Sequence, residues 1–129
     1  MKLEELNVYK LSMEISEKVW DIVIKWDYFV YPVKYYEDKN STGMMNILFH
    51  GAGDTMGKQL IRAIDSVAAN LSEGFGRYHY KEVKNFCYYS RGSLYESKTW
   101  FTKAFNRKLI QEEDFNYFNK ESTKKSIKS

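Results

Sequence analysis

Residues 70–80 read NLSEGFGRYHY, and this stretch carries the chain from one helical segment into a cluster of bases and aromatic rings. Glycine often ends a helix, because it adopts a left-handed backbone at little steric cost. We therefore expect Gly74 or Gly76 to take that conformation at a corner between two helices. A nucleotide-binding loop is not indicated, since a dinucleotide loop follows a strand and a Walker loop continues with Gly-Lys-Ser or Gly-Lys-Thr.

Three helices are predicted from apolar residues that recur at steps of three and four. They cover residues 3–29, 55–74 and 79–108, and the corner joins the second to the third. Gly92 lies inside the third segment, where glycine is unfavourable by about 1 kcal/mol against alanine. We therefore expect close packing at Gly92.

A fourth helix is predicted to begin at the acidic residues 112–114, because acids favour a helix N-terminus. Phe115 and Phe118 then supply its apolar face. With four helical segments and no convincing strand, the sequence predicts an all-α bundle over residues 1–121. Residues 122–129 have little apolar content and are expected to form a flexible tail.

A long insert of about 30–55 separates the first two predicted helices. Pro32 disfavours helical geometry at the residue before it, and turn-forming polar residues follow. Such long connections are usually functional or disordered. The apolar run from Met44 to Phe49 is expected either to fold back on the bundle or to meet a partner.

Composition limits where the protein works. Cys87 is the only cysteine of the 129 residues, which excludes a disulfide framework and favours a cytoplasmic location. The N-terminus lacks the apolar core of a signal peptide. No apolar run approaches the roughly 20 residues that span a bilayer, so no membrane association is expected.

Positive charge is concentrated in the middle of the chain. Residues 58–108 contain ten Lys and Arg against four acids, a net charge of +6. Several of these bases stand at the start of the third predicted helix, where cations oppose the helix dipole and do not stabilise it. Lysines and arginines interleaved with aromatic rings suit the binding of nucleic acid, because the cations neutralise phosphates and the rings stack on nucleobases. The alternative is an ordinary solvated face whose tyrosines pack on the next helix. The predicted nucleic-acid contacts are Lys58, Arg62, Arg77, Tyr78, Tyr80, Lys81, Lys84 and Arg91.

Catalytic and metal chemistry is not indicated by the sequence. His50 and His79 do not follow a glutamate by three residues, so no di-iron motif is present, and one cysteine with two distant histidines does not suit zinc. Cys87 is expected to be buried in the core, as free cysteines usually are. Glu73 and Glu96 are better interpreted as buried ion pairs between helices than as an acid/base pair. We therefore expect no enzyme activity, cofactor or metal.

Three blocks of the chain resemble a known family. KLEELNVYKLSMEI, GKQLIRAIDSVAANLSEGFGR and KEVKNFCYYSRGSLYESKTWFTKA are similar to the four-helix-bundle proteins found in intervening sequences of bacterial large-subunit ribosomal RNA genes. That group is related to the accessory variability determinant of diversity-generating retroelements. The resemblance covers residues 2–29 and 56–118, and its most specific motifs are AANLSEGFGR and RGSLYE. Family members usually join the first two helices by a short link, whereas about 25 residues intervene here.

The resemblance implies an up-down bundle that assembles into a homopentamer. The retroelement member of the family is associated with a reverse transcriptase and with nucleic acid. It also implies that small residues let the second and third helices approach closely. Four motif residues are expected to form a structural polar network within or between subunits: Asn70, Glu73, Arg91 and Glu96. The leading hypothesis is a non-enzymatic oligomer that binds RNA or DNA. The alternative is a scaffold that docks a partner, such as a reverse transcriptase, through exposed apolar surface.

Overall fold

The computed structural model describes residues 1–26 and 56–124, and its regular elements in these ranges are all helical. A short 3-10 turn, Leu3–Glu5, precedes four helices: α1 (Asn7–Val23), α2 (Lys58–Phe75), α3 (Tyr80–Asn106) and α4 (Glu112–Ser122). The predicted all-α four-helix bundle is therefore confirmed. The insert and its Met44–Phe49 run lie outside the described residues.

Within the predicted 3–29, a 3-10 turn occupies the first residues and the α-helix ends at Val23. Residues 27–29 of that prediction lie outside the described residues. Helix α4 begins with Glu112, Glu113 and Asp114 in its first turn, as the helix-dipole argument predicts. Ser122, where the predicted tail begins, is the buried last residue of α4.

The two central helices run antiparallel. The Ser90 hydroxyl of α3 donates to the Val67 carbonyl of α2 over 2.8 Å, and Arg62 bonds Glu96 further along. Residues later in α3 thus contact residues earlier in α2. The corner between α2 and α3 reverses the chain as predicted, but Gly76 has a φ of −81° and no described glycine has a positive φ. The expected left-handed glycine is therefore wrong.

One continuous apolar core joins the four helices, and its residues follow the predicted stripes. Phe101 of α3 stacks on Phe118 of α4 with ring centroids 4.2 Å apart, and Phe115 stacks on Phe105 at 4.1 Å. These aromatic pairs fix the last helix on the bundle. The buried members contributed by α1, α2 and α3 include Ile15, Val19, Ile22, Leu60, Ile64, Val67, Leu94 and Phe101.

Small residues allow close approach at some predicted positions and not at others. Ala68 and Gly74 are buried in α2, in agreement with the motif. Gly92, by contrast, is exposed, and a β-carbon added to it would meet no atom of the described chain within 4 Å. The predicted close packing at Gly92 is thus wrong within the chain, because that glycine faces away from α2.

Candidate nucleic-acid interface

The corner between α2 and α3 presents two lysines and two aromatic rings to solvent. Tyr78 and Tyr80 are 99% and 79% exposed. Lys81 and Lys84 follow in the first turns of α3, and both are exposed. Neither lysine forms an ion pair with any residue in the described parts of the chain. Four of the eight predicted contact residues therefore form one accessible cluster, which we call the basic corner.

Arg77 stands beside the basic corner but is partly neutralised. Its guanidinium donates to the Glu73 carboxylate one helical turn earlier. It also lies 5.0 Å from the centroid of the Phe86 ring. These contacts hold Arg77 in place and lower the net charge that it offers to a phosphate.

Two of the predicted contacts lie at the far end of α2. Lys58 is the first residue of that helix and Phe75 the last, so about 26 Å separates Lys58 from the corner at 1.5 Å per residue. The Arg62 Nη2 donates to Glu96 Oε2 over 2.5 Å. The same oxygen accepts from Trp100 Nε1 at 3.0 Å. The structure therefore does not bring Lys58 and Arg62 together with the basic corner.

Arg91 belongs to a stripe along α3 that sequence reasoning missed. Its Nη2 donates to the Tyr95 hydroxyl over 3.3 Å, and its guanidinium lies 5.4 Å from the Tyr95 ring centroid. Cations and tyrosines alternate at steps of four and three, which places them on one helix face. The stripe consists of Lys84, Tyr88, Arg91, Tyr95 and Lys98, and it extends about 21 Å. The same spacing search that found the apolar stripes would have found this one.

The predicted structural polar network is divided into separate contacts among residues 1–26 and 56–124. Asn70 Nδ2 donates to the Ser66 carbonyl over 2.9 Å. Glu73 bonds Arg77, Arg91 bonds Tyr95, and Glu96 bonds Arg62. Only the Glu96 pair links two helices. The side chains of that pair are 57% and 40% exposed, so the expectation of a buried pair is wrong.

Cys87 is exposed on α3, and the expectation that it is buried in the core is wrong. The apolar stripe of α3 passes through the neighbouring Phe86, which is half-buried, and the next helical position turns toward solvent. Among the described residues, no group of three or more His, Cys, Asp or Glu side chains is arranged to hold a metal ion. Within the same part of the chain, no helix is both long and apolar enough to cross a bilayer.

The geometry defines a class of protein: a small all-α bundle whose longest helix carries cations and aromatic rings on its outer face. The model of one protein family, described as 23S rRNA-intervening sequence protein, matches residues 51–127. The chain belongs to that family. A search of curated proteins finds no match.

Proposed function

We propose that this protein binds RNA or DNA through the basic corner and the stripe of α3, without catalysing a reaction. One observation carries the proposal: Lys81 and Lys84 are exposed, unpaired with acids in the described chain, and adjacent to the exposed rings of Tyr78 and Tyr80. Phosphates bind unpaired cations, and bases stack on exposed aromatic rings. Lys84, Arg91 and Lys98 extend the cationic track along α3.

The predicted phosphate contacts differ in strength, because some of them already pair with an acid of the chain. Lys81 and Lys84 are the principal phosphate contacts, because an incoming phosphate displaces no carboxylate of residues 1–26 and 56–124 from them. Arg77 and Arg62 contribute less, since each is already bonded to a glutamate. Lys58 contacts a nucleic acid only if the strand extends along the whole of α2.

A salt titration tests this proposal. Affinity for a fluorescent 12-nucleotide single strand is expected to fall linearly on a plot of log K against log salt. The double variant Lys81→Gln/Lys84→Gln should bind more weakly, and its slope should be smaller by about 1.4, which corresponds to two lost phosphate contacts on a single strand. The matched control is Lys120→Gln, because Lys120 is an exposed lysine of α4 outside both the basic corner and the stripe of α3. A slope near zero for the unmodified protein would exclude phosphate contacts.

Assembly into a homo-oligomer is a second proposal, and the outer face of α1 supports it. Met13 and Trp20 of α1 and Ile24, the residue that caps its end, lie at helical spacing and are 41%, 49% and 49% exposed. Although both residues are large and apolar, Trp20 and Ile24 stay half uncovered within the chain. A second copy or another protein that buried them would remove apolar surface from water. A ring of copies would also repeat the basic corner and increase avidity.

Light scattering tests the assembly. The unmodified protein is expected to exceed the 15.4 kDa of one chain, and Trp20→Glu is expected to return it to that mass, because a charge is costly to bury in an apolar contact. Tyr89→Glu on α3 is the control for a general effect of an added acid. A monomeric unmodified protein would contradict the proposal. Docking of a partner through Met44–Phe49 stays a prediction, since that segment lies outside the described residues.

A further inference from the structure

A groove of about 490 Å³ opens beside the basic corner. Three elements form its walls: the start of α1, the end of α2 and the first half of α3. Its apolar lining includes Leu71, Phe75, Val83 and the rings of Tyr80 and Tyr88. The volume lies in the range of roughly 300–1,000 Å³ that small-molecule sites occupy. The groove is thus large enough for a flat ring with a polar attachment.

The charge around the groove is of one sign. Lys84 and Arg91 line it, and no acid is found among the described residues of its lining. The Lys84 Nζ lies 5.8 Å from the centroid of the Tyr88 ring, so a cation and an aromatic surface are presented together. This combination is complementary to a ligand that joins an anion to a planar, largely apolar body.

We propose that the groove receives one unstacked nucleobase of a single strand, while the flanking phosphates contact Lys84 and Arg91. This inference rests on the proposed function and adds a preference for single strands. A paired base cannot enter, because its faces are stacked and its edge is occupied. Base stacking on aromatic side chains tolerates any sequence, so we expect little sequence preference.

A peptide fits the groove less well than a base does. Peptide backbone needs hydrogen-bond partners when it is buried. Lys84 and Arg91 have no acceptor atom for a peptide N–H. The Ser90 hydroxyl is buried and already donates to the Val67 carbonyl. Among the described lining side chains, the two tyrosine hydroxyls are therefore the main acceptors left for a peptide N–H. A base needs no partner on its faces, and its edge keeps its hydrogen bonds to water at the open mouth.

Cys87 provides a direct probe of occupancy, because it lines the groove, is exposed and is the only cysteine of the chain. The rate at which iodoacetamide alkylates the full-length protein would be measured with and without saturating ligand. Oligo(dT) of 12 nucleotides is expected to slow alkylation at least about fivefold. The reason is that stacking of one base favours the occupied groove over the empty groove by at least about that factor. A 12-mer of abasic deoxyribose phosphates has the same charges and no bases, and it should leave the rate unchanged.

Variants separate the base contact from the phosphate contacts. Tyr80→Ala and Tyr88→Ala are each expected to weaken oligo(dT) binding roughly 5- to 150-fold, and to leave binding of the abasic 12-mer unchanged. Tyr88→Phe keeps the ring and should restore binding. Tyr89→Ala, an exposed tyrosine of α3 outside the groove lining, is the matched control.

The outcomes distinguish this inference from the proposal on which it rests. If both 12-mers bind with equal affinity and neither protects Cys87, nucleic-acid binding stands and the groove inference is overturned. If neither binds, both fall. If an acidic Leu-Glu helical peptide protects Cys87 and oligo(dT) does not, the groove is a protein-docking site and the inference is also overturned.

Discussion

Gly74 of α2 and Phe86 of α3 lie so close that a β-carbon built on Gly74 would stand 2.8 Å from the Phe86 Cβ. The neighbouring Val83 carbonyl would be 3.5 Å away. This contact sets the distance between the two central helices at their corner end. It also gives a physical reason for glycine at the seventh position of AANLSEGFGR.

Substitution of two helical glycines by alanine is expected to have opposite effects. Gly74→Ala should lower the free energy of unfolding by about 1–3 kcal/mol, because two packed helices must separate to admit the methyl group. Gly92→Ala should raise it by about 0.5–1 kcal/mol, since its β-carbon meets nothing and alanine is the better helix former. Urea unfolding followed by circular dichroism measures both. Equal shifts in one direction would contradict the described packing of α2 on α3.

The interhelical bond from Ser90 to Val67 is expected to contribute about 1 kcal/mol to stability. Ser97 provides the control, because it is also buried in α3 but donates to the Ser93 carbonyl of its own helix. Both changes to alanine gain similar helix propensity. The Ser90→Ala variant should therefore unfold at lower urea than Ser97→Ala. Identical midpoints would show that the interhelical bond adds nothing to stability.

A strained lysine follows the end of α3. Lys108 has a φ of 64°, in the left-handed region that disfavours a β-carbon. Its N–H donates to the Phe105 carbonyl, and the Leu109 N–H donates to the Ala104 carbonyl at 2.9 Å. This bond pattern is the helix-ending motif in which glycine is the usual residue. Lys108→Gly should raise the free energy of unfolding by about 1 kcal/mol.

Lys108→Ala is the matched control for that gain. It removes the same lysine side chain but keeps a β-carbon, so it should not stabilise the protein. If alanine and glycine raised the thermal midpoint equally, loss of the charge and not relief of backbone strain would be the cause.

Asp65 of α2 is expected to make stability depend on pH. Burial raises the pKa of Asp65 above its ordinary value of 3.8, and the nearby Glu17 carboxylate raises it further. The folded state therefore binds the proton more tightly than the unfolded state does. Protonation of Asp65 therefore raises the free energy of unfolding. This gain begins as pH falls through the folded-state pKa and is complete below 3.8.

Asp65→Asn should consequently stabilise the protein at pH 7. The gain should be below about 1 kcal/mol, because solvent screens a largely exposed group. Thermal midpoints of the variant and the unmodified protein should converge as pH is lowered toward 3.5. Glu17→Gln should give a smaller gain, since repulsion is the second cause of the shift. A difference that widened at low pH would mean that Asp65 instead has a depressed pKa.

Much of the fold was predictable from sequence because helix periodicity is local. A rise of 1.5 Å and 3.6 residues per turn fix which side chains share a face, whatever lies opposite. Ile15, Ile64 and Leu94 each lie in one of the three segments predicted from apolar spacing, and all three residues are buried. Acids in the first turn of α4 followed from the helix dipole by an equally local argument.

The candidate site was predictable only in part. Tyr78, Tyr80, Lys81 and Lys84 are adjacent in sequence, so a single helix start was enough to bring them together. Pairing across helices was not readable, because it depends on the register of α2 against α3. Arg62 and Glu96 are 34 residues apart and meet only through that register.

The sequence by itself therefore determined four amphipathic helices, the corner that reverses the chain and the concentration of positive charge between residues 58 and 108. Only the tertiary structure decided that Gly74 is confined while Gly92 is open, and that Cys87 lines a groove. It also decided that Arg62 pairs with an acid, whereas Lys84 has no acidic partner in the part of the chain that the structure describes. The physical reason is that hydrophobic spacing specifies a helix face, whereas the neighbour of that face is set by how whole helices pack.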